Sequence, residues 1–157
     1  MMSAARVLIV DDQVGDIRWL IDLVQSRGYG VDLATNEAAA QKKLNTVKGG
    51  QATYALAIID IMVAVKDLMD LLTLDDKFFE ASKDTGIRLC RYAREDLDLS
   101  VEVLPIVCIS VRDDPDVKKA LRELGIRLFN RAPYGQEESI REFVEKHLPI
   151  VGGTPSG

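Results

Sequence analysis

Three carboxylates stand at the ends of two apolar runs. Val7-Leu8-Ile9-Val10 leads into Asp11 and Asp12, and Tyr54-Ala55-Leu56-Ala57-Ile58-Ile59 leads into Asp60. Continuous, partly β-branched runs of this kind are the pattern of strands buried on both faces. A charge is not tolerated inside such a strand, so the acids belong at its tips. In an open parallel sheet the carboxyl ends of the strands border the ligand crevice. Three carboxylates meeting there repel one another unless a cation neutralises them, and hard divalent ions such as Mg²⁺ take oxygen clusters of this type. A single Asp at a strand end reads as a turn or cap residue; the trio at one sheet edge is what predicts an acidic, cation-binding pocket.

Alternating elements must position that trio. A strand is predicted over about 6–11. A helix follows over 13–27, with Val14, Ile17, Leu20, Ile21 and Val24 on one face and Gly28 placed to stop it. A second strand covers 31–34, and Asn36 caps a helix over 37–47. The third strand runs 54–60. A helix over 86–95 precedes a fourth strand over 104–110. Pro115 opens a helix capped by Asp113 or Asp114 and ended by Gly125. A fifth strand over 126–130 and an amphipathic helix over 136–148 complete the pattern. The expected fold is α/β: a three-layer α/β/α sandwich on a flavodoxin-like five-stranded parallel sheet, order 2-1-3-4-5, with a helical insertion after the third strand. That order makes Asp11, Asp12 and Asp60 neighbours.

Composition narrows the function classes. The chain has 157 residues, 47% apolar and 29% charged, with a net charge of −5. One domain over 1–150 with a flexible tail over 151–157 is expected. Basic residues are scattered, which disfavours nucleic acid. No apolar run is long enough to span a bilayer, and the start, Met1 to Arg6, has no secretory h-region; a cytoplasmic location is expected. Cys90 and Cys108 lie in apolar stretches and read as buried reduced thiols rather than as a disulfide or metal pair.

The sequence resembles a response-regulator receiver domain. The likeness rests on Val7-Leu8-Ile9-Val10-Asp11-Asp12-Gln13, Ile58-Ile59-Asp60-Ile61-Met62, Ile106-Val107-Cys108-Ile109-Ser110 and Ala132-Pro133-Tyr134. It implies that Asp60 accepts a phosphoryl group from a histidine kinase or histidine phosphotransfer protein. It implies that Asp11 and Asp12, with Asp60 and the main-chain carbonyl of Met62, hold Mg²⁺ or another divalent cation, and that the Ser110 hydroxyl meets the phosphoryl group. Phe129 stands where an aromatic reporter of the switch is common, and Ala132-Pro133 where a cis peptide is common. The first helix faces the kinase in the family, which makes Arg18 and Trp19 candidate contacts. Mg²⁺-dependent self-phosphorylation and slow autodephosphorylation are implied, rather than turnover by a classical enzyme. The residue types suit this chemistry: a carboxylate can form an aspartyl phosphate, and a cation offsets charge on the transferring oxygens.

Three departures qualify the likeness. The position of the family's lysine before the proline is Ala132, which removes a charge-assisted contact to the phosphoryl group. Arg131 is adjacent, but strand parity points it to the other face unless a bulge re-aims it. Arg112, two residues past Ser110, lies on the loop over the crevice and is the preferred substitute; the third alternative is that nothing replaces the lysine. Val111 is branched where the family favours a small residue. Residues 61–85, 25 in all, separate Asp60 from Gly86, where family members make a short turn. Leu68, Met69, Leu71, Leu72, Leu74, Phe78 and Phe79 make that stretch too apolar for a disordered linker. It reads equally as edge padding or as a lid or partner surface. Trp19 falls opposite the buried face of the first helix. His147 complements the dipole of the last helix.

Two function classes follow, with a third set aside. The first is a stand-alone receiver that signals by binding an unknown downstream protein, a homodimer being one outcome. The alternative is a phosphorylation-independent pseudo-receiver acting as scaffold or dimerisation module, which the missing lysine and the insertion favour and the intact acid trio opposes. A haloacid-dehalogenase-type phosphohydrolase wants a second acid two residues after the nucleophile, where Met62 stands.

Overall fold

The computed structural model describes residues 5–65, 81–112, 114–131 and 137–151. Strands β1 (Arg6–Val10), β2 (Gly30–Ala34), β3 (Tyr54–Asp60), β4 (Ile106–Ser110) and β5 (Arg127–Asn130) form one parallel sheet in the order β2-β1-β3-β4-β5. The apolar runs of β1, β3 and β4 make the three central strands, and all five residues of β4 are buried. The carboxylates end β1 and β3, as the intolerance of buried strands for charge requires.

Helices cover both faces. Helix α1 (Arg18–Ser26), entered through a 3-10 turn over Val14–Ile17, and α5 (Glu137–His147) pack on one face against Val7, Ile9, Ile58, Ile109 and Phe129. On the other face α2 (Glu37–Lys48), α3 (Thr85–Arg91) and α4 (Pro115–Glu123) pack against Leu8, Val10, Ala57, Ile59 and Cys108. The caps match the sequence. Asn36 Oδ1 accepts the Ala39 N–H at 2.8 Å, and Asp114 Oδ1 accepts that of Val117 at 3.2 Å. Gly28 takes φ +92°, the left-handed stop expected of it.

Boundaries differ where the ends of helices tighten or widen. The first helix begins as a 3-10 turn, and α3 runs on into a π-helical turn over Tyr92–Asp96. The Cys90 and Cys108 sulfurs lie 3.5 Å apart, unbridged, with the Cys108 thiol raised well above its ordinary pKa by that contact and by burial. They are the buried thiols the sequence implies. Most of the predicted helical insertion, and the Ala132-Pro133 bond, lie outside the described residues. So does the tail beyond Val151, whose own N–H is tied to Arg27 O at 2.8 Å. Among the described residues no helix is long and apolar enough to cross a membrane.

Two contacts fix the loop after β3. Gly86 N donates to Ile61 O at 2.8 Å, which lays the start of α3 against the chain leaving Asp60. A Cβ at Gly86 would fall 2.4 Å from Asp60 O, so only glycine permits the approach. The buried Thr85 hydroxyl donates to Val63 O at 2.6 Å. These bonds hold 61–63 as a shelf beneath the carboxyl edge of the sheet.

Candidate functional site

The register brings the expected trio to one edge. Parallel pairing aligns Val10 with Ile59 and Asp60 with Ile109, so Asp11 and Asp60 emerge side by side. Asp11 is fully buried and Asp60 is 5% exposed, while Asp12 is half-buried. Asp11 Oδ1 accepts the Gln13 N–H at 2.7 Å, Asp60 Oδ1 that of Met62 at 3.1 Å, and Asp12 Oδ2 that of Ala64 at 3.0 Å. A cavity of about 470 Å³ opens beside them, lined by Asp12, Gln13, Asp16, Asp60, Met62, Val63, Ala64, Ser82, Lys83, Val111 and Arg131.

A guanidinium bridges two of the three acids. Arg131 Nη1 lies 2.5 Å from Asp11 Oδ2 and 2.7 Å from Asp60 Oδ2. Arg112 stands elsewhere. Its Nε bonds Asp114 Oδ2 at 2.9 Å, and its Nη1 bonds Asp84 Oδ1 and Lys83 O, each at 2.8 Å. Arg131, and not the preferred Arg112, is therefore the guanidinium that stands beside the acids. The ladder shows why: Asp60 aligns with Ile109, and Ile109 with Phe129, so these three face one side of the sheet. Arg131, two residues past Phe129, shares that parity, and its N–H extends the ladder to Ser110 O at 2.7 Å. The expectation that strand parity points Arg131 to the other face is overturned by this alignment. Lys83 at the cavity wall had no sequence signal; it arrives from the far end of the insertion.

The electrostatics follow from burial. Burial pushes the Asp60 carboxyl up to about 7, and the Asp11 charge beside it adds to the push, while the Met62 N–H and Arg131 oppose it. Asp11 is also raised, first by burial, against the pull of the Gln13 N–H and Arg131.

The other expected residues are placed as follows. Buried Ser110 ends β4, and its Oγ accepts the Arg112 N–H at 2.9 Å, a turn-capping bond. Exposed Val111 stands at the cavity rim. Phe129 is buried, its ring edge-on to Phe143 at 5.5 Å. Trp19 is half-buried rather than solitary, because Arg141 lies 5.5 Å over its ring, whereas Arg18 is exposed. His147 stacks on Phe143 at 5.3 Å.

The donor set does not fit a divalent ion while Arg131 stands where it does. Such an ion needs the oxygens of Asp11 and Asp60 to converge on it, but their converging Oδ2 atoms share one guanidinium nitrogen and their Oδ1 atoms hold backbone N–H groups. Among the described residues no group of three or more His, Cys, Asp or Glu is arranged to hold a metal.

No sequence-family model matches the chain, and no curated protein matches it. Solved structures do. The manganese-bound form of response regulator Rcp1 superposes with a TM-score of 0.64 at 14% identity, over 96% of this chain and 97% of that one. A two-component response regulator from Clostridium difficile gives 0.63 at 18% identity, over 92% and 95%. Chemotaxis response regulator CheY4 of Vibrio cholerae gives 0.62 at 18% identity, over 93% and 100%. Strand order, helix placement and these superpositions agree: the chain has the fold of CheY-like response-regulator receiver domains.

Proposed function

We propose that the protein is a signalling receiver module in which Asp60 accepts a phosphoryl group. The observation that carries this reading is the placement of the Asp60 carboxyl at the wall of a 470 Å³ cavity, beside Asp11 and under a guanidinium. In the transfer an Asp60 oxygen attacks phosphorus of a phosphohistidine. The new O–P bond forms as the N–P bond breaks, and the imidazole leaves with a proton from solvent. Arg131 is within reach of the developing charge, and no divalent cation is written into the step while the guanidinium fills its place. The Ser110 hydroxyl, now capping the turn to Arg112, is the group that would turn toward the phosphoryl oxygens. Exposed Arg18, beside Trp19, faces a histidine kinase or phosphotransfer protein in this reading. An unidentified protein reads the output.

Intact mass after incubation with a small phosphodonor, with and without Mg²⁺, tests the reading. One added phosphoryl group on the wild type, absent from Asp60→Asn, is expected. No adduct under any donor or metal condition would overturn it. The second reading, a phosphorylation-independent scaffold, would then stand, since Arg131 already bridges the two buried acids.

A further inference from the structure

We propose that Arg131 is the resident counter-ion of the Asp11–Asp60 pair and competes with divalent cations for it, so that a metal enters only when the guanidinium leaves. The inference rests on reading these carboxylates as a cation site, and it stands whether or not Asp60 is phosphorylated. A single nitrogen, Nη1, bridges one oxygen of each acid at 2.5 and 2.7 Å. That is a bridging ion's position, and a metal–oxygen distance of roughly 2.0–2.6 Å leaves no room for both. Guanidinium suits the place because it is always charged and more weakly hydrated than an ammonium.

The same side chain is built to be displaced. Nη2 is buried without a hydrogen-bond partner among the described residues, and its ion-pair acceptor, Asp16 Oδ2, is 3.8 Å away. A buried donor left unpaired is destabilising, so the guanidinium is held strongly at one nitrogen and poorly at the other. Asp16 is largely exposed and lines the same cavity, which gives the side chain an acceptor to swing toward as it withdraws. Asp12, whose Oδ2 holds only the Ala64 N–H among the contacts described, remains to receive an ion beside the vacated pair.

Binding of Mn²⁺, followed by loss of the free aquo-ion signal in electron paramagnetic resonance, tests this on wild type and Arg131→Gln. The variant is expected to bind at least tenfold more tightly. Equal affinity in the two proteins, whether strong or weak, would overturn the proposal. Should Arg131→Gln fail to fold by circular dichroism, the wild type decides. The ¹⁵N guanidinium signals of Arg131 are expected to shift on titration with Mg²⁺ as the ion pairs break, and signals unchanged up to 50-fold excess would overturn it. The phosphoryl adduct is measured separately. Competition without an adduct removes the phosphoacceptor reading and leaves this one, and an adduct without competition does the reverse.

Discussion

Replacing Asp60 by Asn should make the protein more stable at pH 8 and no more stable at pH 4.5. Asp60 is 5% exposed, and burial with the Asp11 charge lifts its pKa from 3.8 to about 7. The folded state therefore holds the proton more tightly than the unfolded chain does. The stabilisation from the protonated carboxyl is complete below pH 3.8, falls as pH rises between 3.8 and about 7, and is gone above. At ~1.4 kcal/mol per pH unit, the wild type loses about 3 kcal/mol relative to the variant between pH 4.5 and 8. Asn mimics the neutral acid in shape, but its amide must face either Arg131 or the Met62 N–H, both donors. That mismatch costs about 1–2 kcal/mol and offsets part of the gain at pH 8 without depending on pH. The assay is urea unfolding of both proteins at pH 4.5, 6 and 8, read as the difference between them so that other titrating groups cancel. A difference that stays flat to within about 1 kcal/mol, or grows in the wild type's favour with pH, would refute the argument that burial governs this carboxyl.

Three further outcomes follow from the site's supports. Gly86→Ala should lose about 1–3 kcal/mol by thermal or urea unfolding, because its methyl would meet the Asp60 carbonyl; retained stability would mean the shelf yields freely. Asn36→Ala should lose about 1 kcal/mol by removing the cap bond to Ala39, measured by urea unfolding, with the change confined to equilibrium stability and absent from any adduct yield. Arg112→Ala should change stability by less than about 1 kcal/mol, since its pairs with Asp84 and Asp114 are solvent-accessible, yet speed amide hydrogen exchange over 81–84; a changed adduct yield or lifetime would restore it as a phosphoryl contact.

Much of the architecture was legible because it depends on local patterning. Burial of both sheet faces makes β1, β3 and β4 continuous apolar runs, and that alone sends Asp11, Asp12 and Asp60 to the strand ends. Asn36, Asp114, Pro115 and Gly28 mark helix ends through their own backbone chemistry, which needs no distant partner. Met62 beside Asp60 and Ser110 at the tip of β4 follow from the same strand ends.

Linear patterning was enough for the strand order, the two packed helical layers and an edge carrying three acids. Which cation those acids meet depends on how distant strands align. Arg131 and Arg112 are equally close to the crevice along the chain, and their assignment turns on register. The pairing of Asp60, Ile109 and Phe129 across three strands aims Arg131 at the acids, while Asp84 and Asp114, from separate segments, draw Arg112 away. Strand alternation is a local rule, but the face it denotes exists only once neighbouring strands are aligned. Charge pairing between residues 71 and 120 positions apart has no pattern in the linear chain.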